Sequence, residues 1–199
     1  MSSLKFGTGE VCFSSLILVN GENPFCELLE ERELMPVQRE NNDIFLRYDA
    51  AESLNRLMAE IQGWQEIVPV SGWRSKMEQQ QIWDDSITKN GEVFTRKYVA
   101  LPGHSEHETG LAIDLGLQQE KVDFIRPAFP YSGICRIFRE KAAAYGFIER
   151  YPEGKEHITG ISHEPWHFRY VGRPHAQIIA GLGITLEEYH ARMGDQHEC

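Results

Sequence analysis

The stretch His163-Glu164-Pro165-Trp166-His167-Phe168-Arg169-Tyr170-Val171 decides the fold, because it admits two readings. Its first five residues match the HExxH spacing, in which one helical turn brings two histidines to a common face for zinc. Pro165 argues against that helix. It lacks a backbone donor and pushes Glu164 out of the helical region. The flanks, Gly160-Ile161-Ser162 and Phe168 to Val171, look like β-structure. A strand over 166–171 puts His167, Arg169 and Val171 on one face and Trp166, Phe168 and Tyr170 on the other. On this reading His167 is a metal ligand, Glu164 a base beside it, and His163 a neighbour without a metal role.

A second stretch, Ser105-Glu106-His107-Glu108-Thr109-Gly110-Leu111-Ala112-Ile113-Asp114, supplies the partners. Residues 111–116 alternate as a strand, with Leu111, Ile113 and Leu115 on one face and Ala112 and Asp114 on the other. A carboxylate opposite an apolar face points at a cleft or a cation. Alone, His107 is more often a core or surface histidine than a ligand, and Glu164 before a proline is more often a surface charge. Together, SxHxxGxAxD and a later ExWH give two imidazoles, one carboxylate and a spare carboxylate. That is the inventory of a hydrolytic zinc centre with a position left for water.

Around these motifs the chain reads as ordinary and globular. It has 199 residues, 25% charged and 41% hydrophobic, which predicts one domain over 1–199. The formal charge of −10 argues against nucleic acid or an anionic membrane surface as partner. Cys12, Cys26, Cys135 and Cys199 are scattered without a CxxC pair and read as free thiols. The apolar run from Phe13 to Val19 is too short for a signal segment. Ser15 to Val19, before Asn20-Gly21, reads as a strand ending in a turn.

Asp49-Ala50-Ala51-Glu52 resembles a capping box, followed by Leu54, Leu57, Met58 and Ile61 at helical spacing and a stop at Gly63. Ile67 to Val70 reads as a strand. Ser75-Lys76-Met77-Glu78 is another capping box, opening a helix that buries Ile82, Trp83 and Ile87 and ends near Asn90-Gly91. Gln79 falls on that stripe and needs a polar partner, either structural or from a substrate. Thr95 to Gly110 reads as loop. Gln118 to Tyr131 carries Pro127 and Pro130 and reads as a lid-like loop. Gly133 to Tyr145 reads as a helix ended by Gly146, and Phe147 to Tyr151 as a strand. Thr185 caps a last helix with Leu186, Tyr189 and Met193 inward.

These residues resemble the zinc D-alanyl-D-alanine peptidases of vancomycin resistance, of the VanX, VanXY and VanY kinds. The resemblance runs through Leu16 to Asn20, Gly72-Trp73-Arg74-Ser75 with Gln79, Ser105 to Asp114, Gly146 to Pro152, and Glu164 to Gly172. The compact length is most similar to the VanXY group. The resemblance implies an α+β fold, D,D-peptidase/hedgehog-like, in which a small antiparallel sheet carries the zinc site and helices pack around it. It implies zinc on His107, Asp114 and His167, and Glu164 as general base and acid. Arg74 would stabilise the oxyanion, Ser105 would hold the substrate's C-terminal end, and Gln79 would line the site. The implied substrate is a small peptide, D-Ala-D-Ala or a peptidoglycan precursor, and the implied location is the cytoplasm without a membrane anchor. An L-alanyl-D-glutamate endopeptidase and a non-catalytic zinc-binding relative share the same ligand pattern.

Overall fold

The structure is a computed structural model that describes residues 15–26, 29–38 and 43–194. Its elements, in chain order, begin with strands β1 (Leu34–Pro36) and β2 (Phe45–Arg47), then helix α1 (Tyr48–Ile61) and strand β3 (Ile67–Ser71). Helices α2 (Lys76–Asn90) and α3 (Glu92–Tyr98) follow, then strand β4 (Ala112–Leu117), helix α4 (Gly133–Ala142) and strand β5 (Phe147–Tyr151). The last described elements are a short helix α5 (Glu156–Thr159), strand β6 (Glu164–Tyr170) and helices α6 (Arg173–Leu182) and α7 (Leu186–Gly194). β1 and β2 form a small antiparallel pair, and the main sheet has the order β3-β4-β6-β5 with every neighbour antiparallel. The expected α+β fold, a small antiparallel sheet with helices around it, is what forms.

The hydrophobic pattern explains the layering. α1 buries Ala50, Ala51, Leu54, Leu57 and Met58 on one stripe. That stripe packs with Ile113 and Leu115 of β4, Phe168 of β6 and Phe138 of α4 in one core. Phe138 meets Phe168 edge-to-face at 4.8 Å between ring centroids, a favoured aromatic geometry. A second cluster joins Ile148 and Val171 to Ala176 and Ile179 of α6 and Leu186 and Tyr189 of α7. The opposite face of the central strands carries Asp114, His167, Arg169 and Arg150. None of these charged groups can be buried without partners, and they organise the site.

Several local expectations need correction. Ser15 to Val19 is not a strand; the carbonyls of Ser15 and Ile17 accept from the Arg169 guanidinium at 3.1 and 2.6 Å instead. α1 starts at Tyr48 with no side-chain cap, and Gln62, not Gly63, takes the left-handed position that ends it. The Ser75 capping box is present, with both reciprocal hydrogen bonds. In α2, however, the fully buried residues are Gln79 and Ser86, while Ile82, Trp83 and Ile87 are partly exposed. α2 packs beside α3 rather than on the sheet, so its inner stripe is half polar. α3 itself occupies the start of the segment expected to be loop. Thr185 does cap α7: its Oγ1 accepts from the Glu188 amide at 3.2 Å, and the Thr185 amide donates to Glu188 Oε2 at 2.8 Å. Cys26 and Cys135 are free thiols, and Cys12 and Cys199 lie outside the described residues. Among the described residues, no helix is long and apolar enough to cross a membrane.

Candidate metal centre and active site

β4 and β6 run antiparallel in a register that pairs Asp114 directly with His167. His107 arrives from a single 3-10 turn, Glu106–Thr109. Gly110 closes that turn at φ +68, where an added Cβ would stand 2.9 Å from Arg47 Cγ. Only glycine satisfies both the left-handed backbone and the close approach. His107, Asp114 and His167 are all buried and form a group able to hold a metal ion, with one ligand atom from each within 4.8 Å of the others.

Hydrogen bonds fix which atoms face the centre. His107 Nδ1 donates to the Gly72 carbonyl at 2.7 Å, which leaves Nε2 with its lone pair 3.1 Å from Asp114 Oδ2. Gly72 has room for nothing more, since a Cβ there would lie 2.4 Å from the Phe45 carbonyl oxygen. On the other ring, His167 Nε2 faces Glu106 Oε2 at 3.4 Å, and Nδ1 lies 3.0 Å from Asp114 Oδ1. Asp114 Oδ1 is buried and accepts no hydrogen bond. A buried carboxylate oxygen left without a donor, beside two imidazole nitrogens aimed at the same space, is a donor set made for a divalent cation. For His107 the Gly72 carbonyl behind the ring fixes the tautomer, as a metal site requires.

The two imidazoles sit in different electrostatic surroundings. Burial, reinforced by Arg74, pulls the His107 imidazole down to about 4, so it is neutral and ready to ligate at pH 7. Burial also lowers His167, but its close approach to Asp114, its contact with Glu106 and the charge of Glu164 outweigh it and raise the ring to about 9.

Glu164 opens β6 and sits 3.7 Å from His167 Nδ1. Burial and the charge of Asp114, opposed by His167, push its carboxyl up to about 8. Arg74 lies across the centre. Its guanidinium donates to Ser71 Oγ at 2.8 Å, Gln79 Oε1 at 3.1 Å and Asp114 Oδ2 at 3.3 Å. Gln79 donates in turn to the Ala100 carbonyl at 2.8 Å, so both ends of its amide are engaged. Arg74, Gln79, Ser105, His107, Asp114, Glu164 and His167 all line one cleft. Phe124 and Ile125, from the loop between β4 and α4, line it too, and Phe124 lies 5.6 Å from the Arg74 guanidinium.

His163 stands apart. It precedes β6, meets Tyr131 Oη at 2.8 Å and lies 3.5 Å from Glu149 Oε1. Residues 164–170 are strand, so the helical zinc motif does not form. Two residues of the neighbourhood carried no expectation from sequence: Tyr151, whose ring lies 4.9 Å from the His167 ring, and Glu106. For Glu106 a signal was present in the pattern, because Arg169 shares a strand face with His167 and a buried arginine needs an anion.

The VanY family model, described as D-alanyl-D-alanine carboxypeptidase, matches residues 43–173, well over half of the chain. The chain belongs to the VanY family. It is an enzyme of that family, and the matched span contains every residue of the site just described. Among curated proteins, this VanY-family chain is 44% identical over 178 residues to the bifunctional D-Ala-D-Ala dipeptidase and carboxypeptidase VanXYC of Enterococcus gallinarum, covering 89% of this chain and 94% of that protein. Among solved structures it is similar to the vancomycin resistance D,D-dipeptidase VanXYg in complex with a D-Ala-D-Ala phosphinate analogue. That match has a TM-score of 0.87 and 52% identity, and covers 89% of this chain and 70% of that one. A VanY D,D-pentapeptidase variant from the VanB-type cassette, in complex with Zn(II), matches with a TM-score of 0.73 and 32% identity over 88% of this chain and 98% of that one.

Proposed function

We propose that this chain is a zinc-dependent D,D-peptidase that hydrolyses D-Ala-D-Ala ends of small peptides, as dipeptidase, carboxypeptidase or both, and so contributes to vancomycin resistance. The proposed setting is the cytoplasm. The observation that carries the reading is the convergence of His107 Nε2, Asp114 and His167 Nδ1 on one point, with Arg74 and Glu164 beside it. Similarity to VanXYC and to VanXYg with its bound D-Ala-D-Ala analogue supports the substrate class. Zinc, when bound, polarises a carbonyl and lowers the pKa of a coordinated water to about 7.

The chain's own residues then divide the work. Glu164 takes a proton from the attacking water and returns it to the departing amine. Burial pushes its carboxyl up to about 8, and a dication held by His107, Asp114 and His167 would draw it down toward the range a general base needs. Arg74 offers its guanidinium to the oxygen on which charge develops. Ser105 receives the substrate's C-terminal end. Gln79, with both amide ends engaged, acts by orienting Arg74.

The test is a panel of D-Ala-D-Ala, an acyl-D-Ala-D-Ala peptide and an L-Ala-D-Glu peptide, incubated with the zinc-loaded chain. The expected result is D-Ala release from the first, the second or both. Cleavage confined to L-Ala-D-Glu would reassign the chain to an endopeptidase, and no cleavage at all would make it a binding relative.

A further inference from the structure

Glu106 is the most completely buried carboxylate beside the centre, and its two oxygens do different things. Oε1 accepts from Arg150 Nε at 2.8 Å and from Arg169 Nη1 at 2.6 Å. Oε2 is turned to His167 Nε2 at 3.4 Å. The side chains of Glu106, Arg150 and Arg169 have no solvent exposure. Both arginines are themselves tied down. Arg150 makes a two-bonded fork with Glu187 of α7, at 2.9 and 2.6 Å, and Arg169 donates to the carbonyls of Ser15 and Ile17. The carboxylate is therefore clamped on one oxygen and free to serve the imidazole with the other.

We propose that Glu106 is a positioning residue of the metal centre, holding the proton of His167 on Nε2 so that Nδ1 is the atom offered to the ion. The proposal rests on the zinc-centre reading above. An imidazole has two tautomers, and only the one with a bare Nδ1 can ligate on the side that faces Asp114. An acceptor fixed behind Nε2 selects that tautomer. Glu106 has only acceptor oxygens when ionised, and the two arginines offer only donors. The polarity of the whole row, arginine to carboxylate to imidazole to centre, is thereby set in one direction.

Glu106→Gln reverses that polarity. Its single oxygen is claimed by Arg150 and Arg169, so its amide N–H groups must face His167 Nε2 and favour the tautomer with a proton on Nδ1. Glu106→Asp keeps the charge opposite the arginines but draws the carboxylate back from His167 by one methylene, which protects the fold. Glu187→Gln weakens the same arginine network without touching the imidazole. The experiment titrates each zinc-loaded, full-length variant with a chromophoric chelator, and records the visible spectrum of the Co(II)-substituted form. Loss of zinc from His167→Ala, measured alongside, checks the zinc-centre reading independently. The expected result is zinc held about 10- to 100-fold more weakly by Glu106→Gln and at least several-fold more weakly by Glu106→Asp, each with an altered Co(II) spectrum, while Glu187→Gln keeps wild-type affinity and spectrum. Wild-type affinity and spectrum in both Glu106 variants, or an equal loss in Glu187→Gln, would overturn the proposal.

Discussion

Asp114 and His167 are direct cross-strand partners, and their side chains meet with His167 Nδ1 3.0 Å from Asp114 Oδ1. Two of the three proposed ligands are therefore set by sheet register. A one-residue slip of β6 against β4 would turn His167 into the apolar core and Phe168 into the cleft. Burial of Phe168 and Ile113 on the far face guards the geometry of the near one.

The third ligand comes from the 3-10 turn, and its removal leaves the sheet intact. His107→Ala should keep the fold and lose most zinc, because a site with one nitrogen and one carboxylate falls short of the three protein ligands of a catalytic centre. Metal analysis after dialysis checks this, and full occupancy in the variant refutes the ligand set.

Glu164 handles protons rather than the ion in this account. Glu164→Ala should bind zinc stoichiometrically and lose on the order of 10²-fold or more in kcat. Near-normal kcat with intact metal would leave Glu164 no catalytic part.

Arg74 should matter most when charge appears on the substrate oxygen. Arg74→Ala is expected to lower kcat more than it raises KM in steady-state assays with D-Ala-D-Ala. A change in KM alone would move Arg74 to ground-state binding.

His163 and Asp114 distinguish the strand-borne centre from a helical one. After dialysis against a weak chelator, His163→Ala should retain its zinc and Asp114→Ala should not. The reverse pattern contradicts the strand reading of residues 164–170.

Acid should loosen the clamp between Arg150 and Glu187. Burial pushes the Glu187 carboxyl up, but Arg150 outweighs it and holds the group below its ordinary value. A depressed folded pKa means that the unfolded chain binds more protons. The stabilisation is complete above the unfolded value of about 4.3 and is lost as pH falls through the lower folded value. Melting temperatures of the metal-free protein from pH 7 to 3 should fall below pH ~4, and less steeply in Glu187→Gln. Parallel curves for the two proteins would remove Glu187 from the acid response.

Much of this was legible in the residues themselves. Alternation through Ile113, Asp114 and Leu115 and the veto of Pro165 on a helix were enough to read β4 and β6, and Ser75 with Glu78 announced α2. What was hidden depended on partners far along the chain. Ser15 to Val19 has the composition of a strand, yet the Arg169 side chain takes its carbonyls. Gln79 sits on a buried stripe for the sake of Arg74 and Ala100, which no local pattern reveals. For Glu106 the pattern holds only half the signal: Arg169 on the His167 face needs an anion, but which acid meets it, and that Arg150 meets it too, is set by segments far apart in the chain. Gly91, at φ +81, turns the chain sharply out of α2 and precedes α3, so the last turn of that short helix, from Thr95, reads as loop.

In the reading proposed above, His107, Asp114 and His167 hold the catalytic zinc. Anomalous scattering at the zinc edge, from crystals of the zinc-loaded chain, tests it most directly. One peak per chain is expected, about 2.0–2.2 Å from His107 Nε2, His167 Nδ1 and an Asp114 carboxylate oxygen. A peak on His163, or none at the meeting point of β4, β6 and the His107 turn, would contradict it.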